Sequence, residues 1–436
     1  MTNGGWEKWN DQETPSNEPP VKEWTPNPDK SWIRLENGKW KAVIDPDESN
    51  KTGADNLKFL DGDQVGSVVN GTIANDLAKV TKISLTDDYA NADYLFDLTT
   101  DKSQIRVYEA DATTDAKSSI ADIINTGRDV TDRFDVTVNG TKVTATAHQD
   151  YLAEQVGLKN PKQITLFLPG TVNMANGKGA AQVRKDFGKN AGDELTFCTD
   201  PTTKKDLTNA GGETVNNESQ PTNEPKICGY IPPVRKKVIA EGSQGGANQD
   251  ANDKVVYPGQ RVEYRLTTKP QLPADLAYDI TTVRDVDTYD RYLEPDPQTL
   301  EVTDLSTGDQ LTMSDPQMGV EGEYSVAWDE SNHRFTITYS DKYVKEHWKK
   351  GSNPQVQVRF EGTVSKDAPT DRNVDNQWAL TLNNMITPSN IVATCRRSTT
   401  PPRRTTSPRS RAIRPSASTG RPCCWAIPAT IWSPST

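Results

Sequence analysis

The sequence predicts an all-β protein: two β-sandwiches in tandem, with a few short helices and a disordered C-terminal tail. Three observations support this prediction. Apolar and polar residues alternate along short segments, segments with helical periodicity are few, and one ordered set of motifs occurs twice. Alternation with a period of two puts one face of a strand in a core and the other in water. Short strands with frequent turn signals are typical of sandwiches.

The composition of the chain is polar and rich in turn residues. Only 33% of its 436 residues are hydrophobic, and 28 Gly and 29 Pro interrupt it. The net charge is -11, and no apolar run reaches the roughly 18 residues of a membrane span. The three histidines lie far from one another and from the five cysteines. A His-rich metal site or a Ser-His-Asp relay is therefore hard to build.

The strand prediction is clearest in one hairpin. Residues 136–138 and 143–147 alternate, and Asn139-Gly140 between them is the dipeptide favoured in a type I′ turn. Three further segments, 262–266, 335–339 and 356–360, also alternate. Short helices are predicted over residues 118–125, 149–156 and 343–350.

Two copies of one domain are indicated by repeated motifs. The pattern Asn-Asn-x-x-x-Pro-(Ser/Thr)-Asn occurs at residues 216–223 and again at 383–390. Similar elements precede both copies in the same order, including a Leu-Ala pair followed by Asp-x-Tyr. We therefore expect a linker over residues 1–26, a first sandwich over 27–230 with a long insertion at 101–193, and a second sandwich over 231–394.

The end of the chain differs in composition from the rest. From Arg396 to Thr436 there are eight Arg but no Lys, His, Asp or Glu. A coding region rich in G and C yields such a stretch when it is translated out of frame. We expect residues 395–436 to be a disordered tail of that origin, and a genuine basic arm is the alternative.

Each copy carries a lysine, an aspartate and an asparagine in the same order. Lys30 and Lys236 lie in early strands, Asp87 and Asp287 follow alternating segments, and Asn223 and Asn390 end the repeated motif. These three side chains form an intramolecular isopeptide bond when they meet in a core. Taken singly, each fits a solvated lysine or ordinary turn chemistry; their ordered recurrence favours the crosslink. Neighbouring choices stay open: Lys237, Asp88, Asp285, Asn217 and Asn384.

The chemistry of such a crosslink depends on burial. An apolar core disfavours the charged ammonium and lowers the pKa of the lysine, while it raises the pKa of the aspartate. A protonated carboxyl can then polarise the Asn carboxamide, the neutral amine attacks its carbon, and ammonia leaves. Asp87 and Asp287 would thus be catalytic for self-crosslinking only.

The second copy resembles a known family. Residues 255–266, 276–280, 287–293 and 382–392 are similar to the C-terminal stalk domains of antigen I/II-type adhesins. More broadly, the chain resembles isopeptide-forming fimbrial and cell-wall-anchored surface proteins of Gram-positive bacteria. The resemblance implies DEv-IgG-like sandwiches, a Lys-Asp-Asn crosslink in each, and an extracellular location at the cell wall. The chain shows no signal peptide or anchor motif, so we expect upstream and downstream domains of the same adhesin to be missing from it.

Cysteines and acidic loops supply two further candidate sites. Cys198 and Cys228 are 30 residues apart, and a disulfide between them would suit an exported protein, with two isolated thiols as the alternative. The match between Cys228 and Cys395, each five residues after a motif asparagine, is attributed to chance. The acidic stretch 45–55 could hold calcium through oxygen ligands, but a solvated loop fits it better. No other cofactor is expected.

The sequence therefore favours a structural stalk or adhesive module over an enzyme. Its expected partner is a host or bacterial surface protein or a glycan receptor, with no nucleic acid. A pilus shaft subunit is the rival within this class, and a secreted carbohydrate-active enzyme with a carboxylate pair is the rival outside it. A further alternative is that the insertion at 101–193 itself binds a ligand.

Overall fold

The computed structural model describes residues 6–9, 12–15, 24–44, 57–112, 119–240, 248–257 and 259–396. Strands dominate these residues, which confirms the all-β prediction. The chain divides into two compact units. One comprises residues up to 57 together with 63–176 and 198–228, and the other comprises 58–62, 177–197 and the residues from 229 onward. Residues 177–193, expected in the first domain's insertion, thus cluster with the second unit.

Strands in the first half of the chain differ in burial: residues 142–147 alternate, whereas residues 29–34 and 65–71 are buried continuously. They are β1 (Trp6–Trp9), β2 (Gln12–Pro15), β3 (Asp29–Glu36), β4 (Lys39–Ile44), β5 (Leu57–Phe59), β6 (Gln64–Ile73), β7 (Ile83–Asp88), β8 (Phe96–Leu98), β9 (Arg106–Asp111), β10 (Arg128–Asp129), β11 (Phe134–Asn139), β12 (Lys142–Ala147), β13 (Lys162–Val172), β14 (Leu195–Phe197), β15 (Ala210–Val215), β16 (Glu218–Pro221) and β17 (Ile227–Ile231).

Two sheets face each other in the first unit. One has the order β10-β9-β13-β6-β3-β4, with β8 also paired to β13, and the other has the order β11-β12-β7-β15-β16. Inward side chains of both sheets form one core, including Val69, Leu85, Val143 and Leu166. The pair β1 and β2 forms a separate antiparallel ribbon within the segment expected to be a linker.

The strands of the second half are β18 (Arg235–Ala240), β19 (Gln249–Asp250), β20 (Lys254–Val256), β21 (Arg261–Thr268), β22 (Val283–Tyr289), β23 (Leu293–Asp304), β24 (Tyr324–Asp329), β25 (Arg334–Tyr339), β26 (Val356–Val364), β27 (Asn373–Leu382), β28 (Met385–Pro388) and β29 (Val392–Arg396). Their sheets have the orders β19-β18-β21-β26-β23 and β20-β29-β27-β22-β25-β24, and β28 pairs with β27.

The helices are short, as predicted. α1 (Ile120–Thr126), α2 (Gln149–Glu154) and α5 (Asp341–His347) fall on the three predicted segments. The sequence analysis missed α3 (Met174–Gly177) and α4 (Gly179–Asp186), which lie in a segment with two glycines and little apolar periodicity. The outer face of the sheet around β3 is covered by α1, whose Ile120 and Ile124 pack with Ile33, Val68 and Phe167.

The repeated Asn-Asn motif is a structural repeat. Asn216 and Asn383 both adopt positive φ, at 55° and 52°, in the hairpins β15-β16 and β27-β28. Asn216 Oδ1 accepts a hydrogen bond from the Thr81 backbone amide at 2.7 Å, and Asn383 Oδ1 accepts one from the Thr281 backbone amide at 2.8 Å. Asparagine tolerates this left-handed conformation better than most residues, which explains its place at both turns.

Two expectations about turns and ends need correction. In the hairpin of β11 and β12, Asn139 pairs with Lys142, so the loop is Gly140-Thr141 with only Gly140 at positive φ. That is the pattern of a type II′ turn, not type I′. At the C-terminal end, β29 runs through Cys395 to Arg396, so ordered structure includes two residues assigned to the tail. The rest of the predicted tail and the acidic stretch 45–55 lie outside the described residues.

Candidate functional site

The second unit buries a lysine between its two sheets. Lys236 lies on β18 and points inward with its side chain 0% exposed. Its Nζ is 5.4 Å from the centre of the Tyr264 ring and 5.7 Å from that of Phe360. Alternation along β18 explains the orientation, because Val238, two residues on, is also buried.

Two groups of the opposite sheet meet this ammonium. Asp287 on β22 forms an ion pair with Nζ through Oδ2. Asn376 on β27 accepts a hydrogen bond from the same Nζ on Oδ1 at 2.5 Å. Asp287 and Asn376 are also buried. A primary amine, a carboxyl and a carboxamide thus lie in contact within a core.

Burial controls the ionisation of this pair. Burial lowers the pKa of Lys236 to about 8, although the nearby Asp287 opposes the shift. Burial likewise raises the pKa of Asp287, and the positive charge of Lys236 opposes it. Both shifts favour the neutral amine with the protonated carboxyl, and a neutral amine is the nucleophile that amide exchange requires.

The first unit contains a related cluster. Lys30 on β3 and Asp87 on β7 form an ion pair at 2.5 Å, and both side chains are 0% exposed. Burial lowers the pKa of Lys30, while Asp87 opposes the shift. Asn209, directly before β15, is also fully buried. Its Nδ2 donates to Ser67 Oγ at 2.9 Å, and Ser67 Oγ donates to Asp87 Oδ2 at 2.6 Å.

Strand register shows that the two clusters are equivalent. Asp87 pairs with Gly211 in the first unit and Asp287 pairs with Trp378 in the second. Asn209 and Asn376 each lie two residues before those partners. Asn209 and Asn376 therefore occupy equivalent positions; Asn376 contacts Lys236 Nζ in the second sandwich, and Asn209 is linked through Ser67 to Asp87 in the first.

The structure corrects the expected crosslink acceptors. Asn223 and Asn390 do not face the lysine ammonium groups; both bind the lysine backbone. Asn223 Oδ1 accepts from the Lys30 amide at 2.8 Å, and Asn223 Nδ2 donates to the Lys30 carbonyl at 3.3 Å. Asn390 makes the same pair of bonds to Lys236 at 3.0 and 2.9 Å. Asn223 and Asn390 thus hold the backbone of the lysine strands, and the buried carboxamides joined to the two Lys-Asp pairs are those of Asn209, through Ser67, and Asn376.

The repeat also contained a signal for the two buried asparagines. Asn209 is seven residues before Asn216, and Asn376 is seven residues before Asn383. In the second copy, Asn376 also shares the inward parity of Trp378, Leu380 and Leu382. Side chains alternate between the two faces of a strand. Counting back in steps of two from the residue before each Asn-Asn turn would therefore have led to an inward-facing asparagine on the face of the aspartate.

The neighbouring choices left open by the sequence have other roles. Asp285 Oδ2 accepts from the Tyr339 hydroxyl at 2.7 Å, and its Oδ1 accepts from Trp378 Nε1 at 2.9 Å. Lys237 is exposed on the other face of β18. Asp88 Oδ1 accepts from Thr141 Oγ1 at 3.2 Å near a strand end. Neither Asn217 nor Asn384, at the hairpin turns, is buried.

The structure brings the two predicted cysteines together. Cys198 and Cys228 form a disulfide with their Cα atoms 4.1 Å apart. Cys395 lies buried on β29, as Cys228 lies buried on β17. Thr208 pairs with Lys226 as Asp375 pairs with Ala393. The equal spacing of Cys228 from Asn223 and of Cys395 from Asn390 therefore reflects equivalent strands, and attributing it to chance was wrong.

The described ranges contain neither a metal-binding cluster nor a membrane-spanning helix. No group of three or more His, Cys, Asp or Glu side chains there is arranged to hold a metal ion. None of the helices in the same ranges has the length and apolar character needed to cross a membrane.

Comparisons with known proteins agree with this architecture. Residues 235–395 match the family described as the cell surface antigen I/II C2 terminal domain. The solved C-terminal domain of the Streptococcus agalactiae AgI/II polypeptide BspA superposes with a TM-score of 0.53 at 13% identity, covering 84% of this chain and 99% of that one. The structure named BspA_C_mut gives 0.53 at 13% identity over 86% and 100%.

A search of curated proteins found no match. At such low identities the structural matches establish the fold. The chain therefore resembles the C-terminal domains of antigen I/II-type surface adhesins of Gram-positive bacteria, in sequence over residues 235–395 and in fold over most of its length.

Proposed function

We propose that this chain is a structural stalk and adhesive module of a bacterial surface adhesin, and that each sandwich closes one Lys-Asn isopeptide bond. The bonds would join Lys30 to Asn209 with the help of Asp87, and Lys236 to Asn376 with the help of Asp287. The resemblance to antigen I/II C-terminal domains supports a location at the cell surface and a host or bacterial surface receptor as partner.

The observation that carries the proposal is the three-way contact in the second unit. Lys236 Nζ touches both the Asp287 carboxyl and the Asn376 carboxamide, and all three groups are buried. A buried lysine and aspartate are costly to desolvate unless they are well paired. A reaction that replaces them with a neutral amide removes the buried charge.

The reaction balances without any co-reactant. Lys236 passes a proton to Asp287, and the neutral Nζ attacks Cγ of Asn376. The new Nζ–Cγ bond forms, the Cγ–Nδ2 bond breaks, and Nδ2 leaves as ammonia after it takes up a proton. Asp287 donates the proton to the departing group and receives one from Nζ. The fold holds the reactants in place, so a single turnover per domain is enough.

The consequence for stability resembles that of a disulfide. A bond from Lys236 to Asn376 closes a segment with a sequence separation of 140. By the chain-entropy relation for crosslinks, a loop of this size stabilises the fold by about 5 kcal/mol. The bond also joins the two sheets of the sandwich, since β18 and β27 belong to different sheets.

Intact mass tests the proposal with matched variants. After reduction of the disulfide, the parent chain should be lighter than its sequence by two ammonia molecules. Asn376→Ala and Asp287→Ala should each lose only one. Asn390→Ala should still lose two, although it leaves the Lys236 backbone amide and carbonyl unpaired and lowers the free energy of unfolding by about 1–3 kcal/mol.

The opposite pattern would restore the acceptor assignment made from the sequence. If Asn390→Ala lost one ammonia and Asn376→Ala two, the terminal asparagine would be the acceptor. A parent mass equal to the uncrosslinked sequence would refute isopeptide formation altogether.

A further inference from the structure

The two clusters differ in how the carboxyl reaches the carboxamide. In the first unit Ser67 stands between them: its hydroxyl donates to Asp87 Oδ2 at 2.6 Å and accepts from Asn209 Nδ2 at 2.9 Å. Ser67, Asp87 and Asn209 are all 0% exposed. This chain of hydrogen bonds leads from the carboxyl to the nitrogen that would leave as ammonia.

The second unit has a different residue at that place. Lys30 pairs with Val69 on β6, and Lys236 pairs with Leu266 on β21. Ser67 and Tyr264 each lie two residues before those partners, so they are equivalent. Lys236 Nζ there bonds directly to Asn376 Oδ1, and the Asp287 carboxyl interacts with the Asn376 side chain with no intervening serine hydroxyl.

Resting on the isopeptide chemistry proposed above, we propose that Ser67 is a catalytic group of the first crosslink only. It holds the Asn209 carboxamide by its nitrogen and relays a proton from Asp87 to that nitrogen. The second crosslink, with Tyr264 at the equivalent position, proceeds without a hydroxyl relay, because the Tyr264 hydroxyl makes no hydrogen bond to Asp287 or Asn376 among the described residues.

The relay follows from the change in the leaving nitrogen. In the resting state the amide Nδ2 can only donate, so it donates to Ser67. When Lys30 Nζ has added to Cγ, Nδ2 becomes an amine with a free lone pair. The Ser67 hydroxyl then donates its proton to Nδ2 and takes the proton from Asp87. The Cγ–Nδ2 bond breaks, ammonia leaves, and Asp87 regains a proton from Nζ.

The Ser67 hydroxyl also fixes the orientation of the Asn209 carboxamide. Asn209 Oδ1 has no hydrogen-bond partner among the described residues, so Ser67 supplies the bond that fixes its orientation. With the nitrogen held toward Ser67, the carbonyl carbon stays in one orientation toward the core. An alanine at this position would leave the carboxamide free to rotate about its terminal torsion.

The experiment follows both crosslinks in newly synthesised full-length chain. A cell-free reaction is sampled over time, each sample is quenched in acid, and the joined peptides are measured by mass spectrometry. Ser67→Ala should slow the Lys30–Asn209 bond by roughly 10²-fold, the range of a lost general acid. The Lys236–Asn376 bond should form at the parent rate and serves as an internal control.

A second buried serine supplies the matched control variant. Ser31 is fully buried on β3, and its hydroxyl has no hydrogen-bond partner in the described part of the chain. It neighbours Lys30 but lies on the opposite face of the strand by alternation. Ser31→Ala should leave both rates unchanged, and Ser67→Thr, which keeps a hydroxyl, should restore most of the first rate.

The possible outcomes separate this inference from the proposed function. If the parent forms neither bond, isopeptide formation fails and the relay fails with it. If the parent forms both and Ser67→Ala forms the first at the parent rate, only the relay is overturned. The melting temperature of Ser67→Ala, measured in an Asp87→Ala background, tests whether Ser67 is needed for folding. A large decrease in melting temperature there, with no rescue by Ser67→Thr, would show a purely structural role and overturn the proposal.

Discussion

A buried carboxyl that takes no part in the proposed reaction makes the second core sensitive to pH. Asp285 is 1% exposed and accepts hydrogen bonds from Tyr339 and Trp378. Burial raises its pKa from 3.8 to about 7, although the two hydrogen bonds oppose the shift. The equivalent residue of the first unit, two positions before Asp87, is Leu85. At this position, therefore, only the second sandwich carries a buried carboxyl.

The sign of the pH effect follows from proton binding. Between pH 3.8 and about 7 the folded Asp285 keeps a proton that the unfolded chain has released. The free energy of unfolding therefore decreases as the pH rises through that window. Asp285→Asn is neutral at every pH and lacks this dependence.

We expect the melting temperature of Asp285→Asn, relative to the parent, to rise between about pH 4 and about pH 8. Calorimetric melting of both chains across this range measures the difference. Leu85→Val serves as a comparison, since a smaller apolar side chain should change the melting temperature by the same amount at each pH. A difference between Asp285→Asn and the parent that did not vary with pH would contradict the assigned shift.

At the scale of elements, register decides which side chains meet. The sequence predicted the strands, three of the five helices and the inward lysine and aspartate, because alternation and the repeat report directly on these features. It missed Asn209 and Asn376, because the more visible asparagines of the repeated motif serve another purpose. Asn223 and Asn390 hold the lysine backbone, and this role produces the same recurrence as a reacting group would.

A disulfide crosslinks two segments of the first unit. It links Cys198 to Cys228 on β17 across a sequence separation of 30. By the loop-closure relation, a crosslink of this length stabilises a fold by about 3–4 kcal/mol. Asn209 lies inside the loop, so the disulfide restrains the segment that carries the proposed acceptor.

We expect the double variant Cys198→Ala/Cys228→Ala to lower the free energy of unfolding of the first sandwich by up to about 3–4 kcal/mol. Denaturant unfolding monitored by hydrogen exchange in β7 and β22 separates the two units. Protection of β22 should not change. Equal losses of protection in both strands would contradict a role limited to the first unit.

At the scale of the whole molecule, the positions of the covalent bonds determine how the chain would carry tension. Force applied along the chain would enter the second sandwich at β18 and leave it at β29. A bond between Lys236 and Asn376 would transmit the force directly, so that the residues between them would not be extended. The twenty residues after Asn376, through Arg396 and including β28 and β29, would remain outside the protected loop. The expected bond to Asn390 would have protected most of them.

The first sandwich would differ from the second because the segment closed by its isopeptide bond overlaps the segment closed by its disulfide. The isopeptide bond would carry load from Lys30 to Asn209, and the disulfide spans Asn209 from Cys198 to Cys228. The shortest load path from Asn209 would then run eleven residues back to Cys198 and across the sulfurs. Without the disulfide it would run nineteen residues forward to position 228.

Single-molecule stretching should therefore show limited extension in both units. At about 3.3–3.6 Å per residue, the second sandwich should lengthen by at most roughly 70 Å, and Asn376→Ala should lengthen by roughly 500 Å when it unfolds fully. Removing both Cys198 and Cys228 should add roughly 30 Å to the extension of the first sandwich and nothing to the second. Steps of several hundred ångströms in the parent chain would show that no bond joins the lysine strands to Asn209 and Asn376.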